Sequence, residues 1–334
     1  MLVHPIIYSS VLSLVFIIGC TDDDGAGETE SSTTHTQASQ SVGEGGNISA
    51  SGAGDGVGTV ELAVTGWSVA AGLYPGTSPR DTVDGWTVRY SKFLVTIGDV
   101  RAFEPGEPGR PAPEVGLSDG RTFVVDLART SDPVSLVTLS MLPVGTFEKF
   151  LFETTLATAT ADLRLATSAD RDLLVDGGTT IHVEGVITNP DGQSCDPAEP
   201  DACTPASSIA FSWSLPAVTR YTGCPGFDVE SDQTTVLMLT LPGDRWFLTG
   251  FAKDADSRQR RVQWLADADL DRDGETTLAE LDQIKAESLF RPELGYDLAD
   301  APVALSTARD FVVAQAHTLG LGEALGCSRG IPFE

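Results

Sequence analysis

Thirteen mostly apolar residues, "IIYSSVLSLVFII" at 6–18, lie near the start of the chain, and a stretch almost free of aliphatic and aromatic side chains follows to Gly58. From Thr59 the pattern changes to short runs in which apolar and polar positions partly alternate: "TVELAVTGWSV", "WTVRYSKFLVTIGDVRAF", "RTFVVDL", "GTFEKFLFETTL", "TTIHVEGVIT", "SSIAFSWSL", "TTVLMLTL" and "RWFLTGFA". A period of two sends successive side chains to opposite faces of a strand. Eight such runs with Gly and Pro between them predict a mainly β protein, an antiparallel β-sandwich over 59–252. Beyond Phe251 the period becomes helical. Arg261, Trp264, Leu265 and Ala268 share a face of 257–268, with Asp256 or Ser257 placed to cap it. Leu278, Leu281, Ile284, Lys285 and Leu289 do so in 278–290, and Ala308, Phe311, Val312, Ala316 and Leu319 in 306–320. The region 253–334 is therefore expected to be helical.

Within "TTIHVEGVIT", Ile181, Val183 and Ile187 fall on one face and His182 and Glu184 on the other. A His and a Glu two apart offer two metal ligands or an acid–base pair, or simply the wet face of a half-exposed strand. Trp67, Trp86, Trp213 and Trp246 sit in strand-like runs, which predicts core positions rather than a sugar-stacking platform. His317 is expected at the rim of the last helix. The segments "DGWTVRYSKFLVTIGDV" and "LPVGTFEKFLFE" are similar to exported prealbumin-like or immunoglobulin-like sandwich lipoproteins of bacteria, a resemblance that implies a fold and not an activity.

Composition sharpens the address. The 6–18 run is too short for a membrane span of about twenty residues but suits a signal-peptide core. It ends in "IIGC", which resembles the bacterial lipobox, with Ile17, the small Gly19 and then Cys20. That resemblance implies that 1–19 is removed and that Cys20 carries lipid, placing the protein in the cell envelope, in the outer membrane, facing away from the cytoplasm. The n-region "MLVHP" departs from the usual pattern in having no Lys or Arg. Residues 20–58 contain no Lys, Arg or aromatic side chain, too little apolar surface to fold, and read as an acidic Gly/Ser/Thr tether. Its root-mean-square reach is roughly 35 Å.

The formal charge of −27, from 48 acids against 21 bases, argues against nucleic acid and anionic lipid headgroups as partners. Four cysteines follow Cys20, and an even set in an exported chain reads as two disulfides with three possible connectivities. Cys195 and Cys203 flank the short proline-bearing loop "DPAEPDA", which a local bridge would close; Cys224 then joins Cys327.

The stretch "DLDRDGETTLAE", from Asp269 to Glu280, resembles the EF-hand. A hard divalent cation needs six or seven evenly placed oxygens. The resemblance implies Ca²⁺ held by Asp269, Asp271 and Asp273 from the first, third and fifth places. Gly274 makes the turn, Glu275 offers its carbonyl, Thr277 its hydroxyl or a water, and Glu280 both carboxylate oxygens. Thr276 stands at the eighth place, where Ile or Val is usual and meets a paired hand. No second loop is found, so a polar residue there is expected to cost little. A solitary hand in a chain with three Met suits a permanently filled structural ion, with affinity on the order of 0.1 to 1 mM, better than a switch.

No GxSxG, HExxH, GxGxxG or GxxxxGK[ST] motif is present, and only His35, His182 and His317 remain after the signal. The expected function is that of a non-catalytic, lipid-anchored, calcium-stabilised surface module with an envelope protein as partner. The alternatives are a metal-handling accessory of an envelope transporter, with His182 and Glu184 as ligands, and a hydrolase assembled from strand loops. Convergence of His182, Glu184 and His317 in one cleft would favour the alternatives.

Overall fold

The alternation that begins at Thr87 becomes the spine of the molecule. The computed structural model describes residues 56–106, 110–251, 258–321 and 326–329. The signal segment, Cys20, the tether to residue 55 and the expected cap at Asp256 or Ser257 lie outside the described residues. In chain order the strands are β1 (Val57–Thr65), β2 (Thr87–Phe103), β3 (Glu114–Gly116), β4 (Phe123–Asp126), β5 (Val134–Pro143), β6 (Gly145–Thr154), β7 (Asp162–Arg164) and β8 (Ile181–Thr188). They continue as β9 (Gln193–Asp196), β10 (Glu199–Pro205), β11 (Ser208–Leu215), β12 (Thr219–Val229), β13 (Thr234–Thr240), β14 (Glu275–Thr276) and β15 (Ser328–Arg329). The helices are α1 (Ser168–Gly177), α2 (Gln263–Asp267), α3 (Leu278–Leu281), α4 (Ala286–Leu289) and α5 (Ala308–Ala316).

The protein is mainly β. The larger sheet runs β14-β11-β8-β2-β6-β12-β15, with β3 and β4 also on β2 and β7 on β4; a second sheet runs β13-β1-β5. β2 is long enough to pair with β8 from Thr87 to Val95 and with β6 from Ile97 onward, bending at Asp99, whose φ is 43°. Val60, Leu62 and Val64 of the small sheet share one core with Phe93, Val183 and Trp213 of the large one, an arrangement consistent with a sandwich. The sheets are mixed rather than purely antiparallel. β1 with β13, β4 with β7 and β11 with β14 run parallel. Side-chain alternation selects the buried face of a strand, not the direction of its neighbour.

Several elements depart from the expected set. "RWFLTGFA" forms a 3₁₀ turn, Arg245–Phe247, instead of a strand. β5, β12 and α1 appear where no element was expected. The 257–268 helix is only α2, because Asp84 reaches across the chain and its Oδ2 accepts the N–H groups of Val262 and Gln263, at 2.6 and 2.8 Å, at its start. The 278–290 helix is two single turns, α3 and α4, broken where extended Lys285 bridges Thr307 and Ala308 N–H donates to Ile284 O at 2.8 Å. Leu281, Ile284 and Leu289 still point inward, but Lys285 stands in water.

The core continues without interruption into these helical turns. Trp213 of β11 stacks on Trp264 of α2 at 5.9 Å, Trp264 meets Phe290 edge-on at 5.6 Å, and Phe290 stacks on Phe311 of α5 at 3.8 Å. Disulfides join Cys195 to Cys203 and Cys224 to Cys327.

Candidate metal-binding loop

Between α2 and α3 the chain folds around its own carboxylates. One ligand oxygen from each of Asp269, Asp271 and Asp273 lies within 4.8 Å of the others. Asp269 is 4 % exposed and Glu280 7 %, whereas Asp271 and Asp273 are open to water. Backbone N–H groups set the turn. Asp273 and Gly274 donate to the two oxygens of Asp269 at 3.1 and 3.0 Å, and Glu275 donates to Asp273 at 2.8 Å. Arg272 and Gly274 take left-handed backbone, with φ of 61° and 88°; at the second of these the glycine removes the steric cost.

Glu280 closes the loop from α3. Its Oε2 accepts from the N–H and hydroxyl of Thr277 at 2.8 and 2.9 Å, its Oε1 accepts the Leu270 N–H at 2.9 Å, and Thr277 in turn accepts the Glu280 N–H. This is a capping box, readable in the spacing of "TLAE". Thr277 and Glu280 are thereby brought to the aspartates, while Glu275 starts β14 with its side chain in water.

β14 holds the loop to the sheet. Glu275 and Thr276 pair with Ala210 and Phe211, the Ala210 N–H donates to Gly274 O at 2.8 Å, and Trp213 Nε1 donates to Thr276 O at 3.2 Å. Thr276 is fully buried, and its hydroxyl donates to Leu265 O at 2.7 Å. The polar residue at the eighth place was expected to cost little; it is buried, and its hydroxyl has a partner. Strand β11 is the neighbour that receives it.

The electrostatics are those of crowded acids. Burial pushes the Asp269 carboxyl above its ordinary value, and the nearby Glu280 and Asp273 charges push the same way; the N–H groups of Gly274 and Asp273 oppose them. Among the described ion pairs none includes Asp269, Asp271, Asp273 or Glu280. Asp267, just before the loop, accepts the Cys195 N–H at 2.8 Å, so the disulfide-closed turn leans on α2. Burial raises its carboxyl to about 6, with the Cys195 and Gln263 hydrogen bonds opposing. Nothing in the local sequence announced that contact.

No protein-family model, curated protein or solved structure matches the chain.

The histidines have other surroundings. His182 is buried rather than on a wet face. Its Nδ1 meets Ser214 Oγ across the β8–β11 ladder at 2.8 Å and its Nε2 meets Glu184 at 2.9 Å. Lys92 of β2 extends the row, 3.7 Å from Glu184 and 2.9 Å from Asp170 on α1. His317 is buried too, not at a rim, and its Nδ1 pairs with the Thr219 hydroxyl at 2.7 Å. Sequence reading missed Ser214, Lys92 and Asp170, since cross-strand register is not encoded within any single strand. The four buried tryptophans are Trp86, Trp213, Trp246 and Trp264, but Trp67 leaves the core after β1.

Proposed function

We propose that the chain is a lipid-anchored envelope protein whose 269–280 loop holds one structural Ca²⁺, and whose β body acts as a non-catalytic interaction module. The observation that carries the ion reading is the burial of Asp269 and Glu280 beside two further carboxylates with no cationic side chain paired to them among the described residues. Buried charge is costly unless paired or bound to metal. Backbone N–H groups orient these oxygens without neutralising them; a hard divalent cation would do both. Asp269, Asp271, Asp273, Thr277, Glu280 and the Glu275 carbonyl would hold it. The ion would then clamp α2 and α3 to the edge of β11, a stabilising role with no switching element attached.

The metal-handling alternative is weaker, because both ring nitrogens of His182 already have partners and His317 belongs to a separate contact with Thr219. The envelope address rests on the lipobox resemblance at Cys20, and the two disulfides suit an oxidising compartment. The test uses full-length protein extracted from membranes in detergent. Metal analysis is expected to find about one Ca²⁺ per chain, and chelation to lower the melting temperature. Glu280→Gln should abolish both effects, and Cys20→Ser should release the protein from membranes. Absence of Ca²⁺ at millimolar supply, with an unchanged melting temperature, removes the ion from this reading.

A further inference from the structure

Trp67 keeps 44 % of its surface in water. Its backbone is left-handed, with φ of 49°, a region that is sterically unfavourable for a bulky residue and freely open to glycine. Nearly half of a large apolar ring thus stays in water in a conformation that costs the backbone. Such outliers persist where their surroundings hold them, and they gather at ligand sites.

The surroundings here do hold it. The Trp67 N–H donates to Thr65 Oγ1 at 3.1 Å, and the Arg80 guanidinium lies 3.8 Å from the ring centre. The segment 66–82 curls around a cleft of about 210 Å³ walled by Trp67, Tyr74, Arg80 and Asp81, with Asp244 beneath. Tyr74, 46 % exposed, is fixed by its hydroxyl donating to Ala71 O at 3.0 Å. Leu73 is bridged to Val88 of β2, and the N–H of buried Thr82 donates to Tyr74 O at 3.0 Å. Below them Arg260 donates to Asp244 at 2.7 Å and also to the Pro79 carbonyl. Both ends of the loop are thus tied to the body, and the two aromatic rings are held out before any ligand arrives.

Each ring carries a guanidinium against one face, Arg80 on Trp67 at 3.8 Å and Arg89 on Tyr74 at 5.8 Å, and each still keeps nearly half its surface in water; with Asp81 beside them, these surfaces have a definite chemical complement. A pyranose ring presents an apolar C–H face, which an electron-rich ring attracts, and a girdle of hydroxyls that Asp81 can accept from and Arg80 can donate to. A preformed concave site with few polar groups is how small ligands are bound. The chain's charge of −27 selects against anionic sugars. We propose that this cleft binds a neutral oligosaccharide, one ring seated against Trp67 and Tyr74 and its hydroxyls on Asp81 and Arg80. The site is separate from the 269–280 loop and stands whether or not that loop holds calcium.

Trp67 is its own reporter, because the other four tryptophans are buried. Full-length protein in detergent is titrated with maltopentaose, cellopentaose and chitopentaose, and with pentagalacturonate as the anionic comparator. At least one neutral sugar should shift the emission to the blue and protect it saturably from acrylamide, while pentagalacturonate does neither. By calorimetry with that sugar, Trp67→Gly, which suits the left-handed backbone, should lose about tenfold or more in affinity, and Tyr74→Ala a comparable factor. Asp81→Asn should lose roughly fivefold. Should Trp67→Gly fail to fold, Tyr74→Ala and Asp81→Asn decide the matter. No saturable response to any of the three neutral sugars up to roughly 10 mM, or unchanged affinity in the folded variants, overturns the proposal.

Discussion

Asp170 accepts from the N–H and hydroxyl of Thr167, at 2.8 and 2.7 Å, where α1 begins, and it takes the Lys92 ammonium at 2.9 Å. Burial pushes its carboxyl up, but the Lys92 and Thr167 hydrogen bonds together outweigh burial and hold it below its ordinary 3.8. A depressed carboxyl contributes stability that is present above the unfolded value and is lost as the pH falls through the folded one. Asp170→Ala should therefore lower the unfolding free energy at neutral pH by about 1–3 kcal/mol, combining a lost cap and the loss of the closer partner of Lys92, which keeps only its longer contact with Glu184. It should also flatten the loss of stability below pH 3.8; urea titrations across the acid range measure both. At this scale the sequence was readable where chemistry is local and opaque where it crosses strands. Both capping boxes, Thr277–Glu280 in "TLAE" and Thr167–Asp170 in "TSAD", are spelled out by their local spacing, although neither figures among the expected elements. The contacts of His182 with Ser214 and of His317 with Thr219 span 32 and 98 residues, and no local pattern encodes them.

The short strand β14 shows what an element can take from its neighbours. Its two residues pair with β11, and the Thr276 hydroxyl satisfies Leu265 O at 2.7 Å. Thr276→Val keeps the shape but leaves that buried carbonyl without its donor. The expected loss is about 1–3 kcal/mol in chemical denaturation. A rise in stability would mean that the hydroxyl is dispensable. The helical turns are shorter than their apolar periodicity predicts for a related reason. Periodicity across 278–290 correctly turned Leu281, Ile284 and Leu289 inward, yet the bridge between Lys285 and Thr307 extends the backbone in mid-run. Over so few residues helical propensity is a weak preference, and a tertiary contact outweighs it.

Over the whole molecule, the disulfides close loops of very different size. Cys195–Cys203 spans 8 residues and Cys224–Cys327 spans 103. Chain entropy assigns the short bridge roughly 2.5 kcal/mol and the long one about 4.7 kcal/mol. Replacing Cys224 and Cys327 together by Ala should therefore cost about 2 kcal/mol more than replacing the other pair, read from denaturant midpoints. The long bridge ties β12 to the segment leading into β15, both on the large sheet, so its loss loosens β15 against β12.

Taken alone, the sequence determined the β character of the body, the inward faces of most strands, the loop that Cys195 and Cys203 close and the grouping of acids in 269–280. Each of these follows from short-range spacing: alternation, loop length, or the reach of neighbouring side chains around a turn. The tertiary structure decided which strands run parallel, that β11 receives the acidic loop, that Asp84 holds the start of α2, and that Trp67 stands partly in water while four other indoles are buried. Those outcomes depend on which distant surfaces meet when apolar area is buried, and hydrophobic attraction, being non-directional, leaves that choice to the packing of the whole chain.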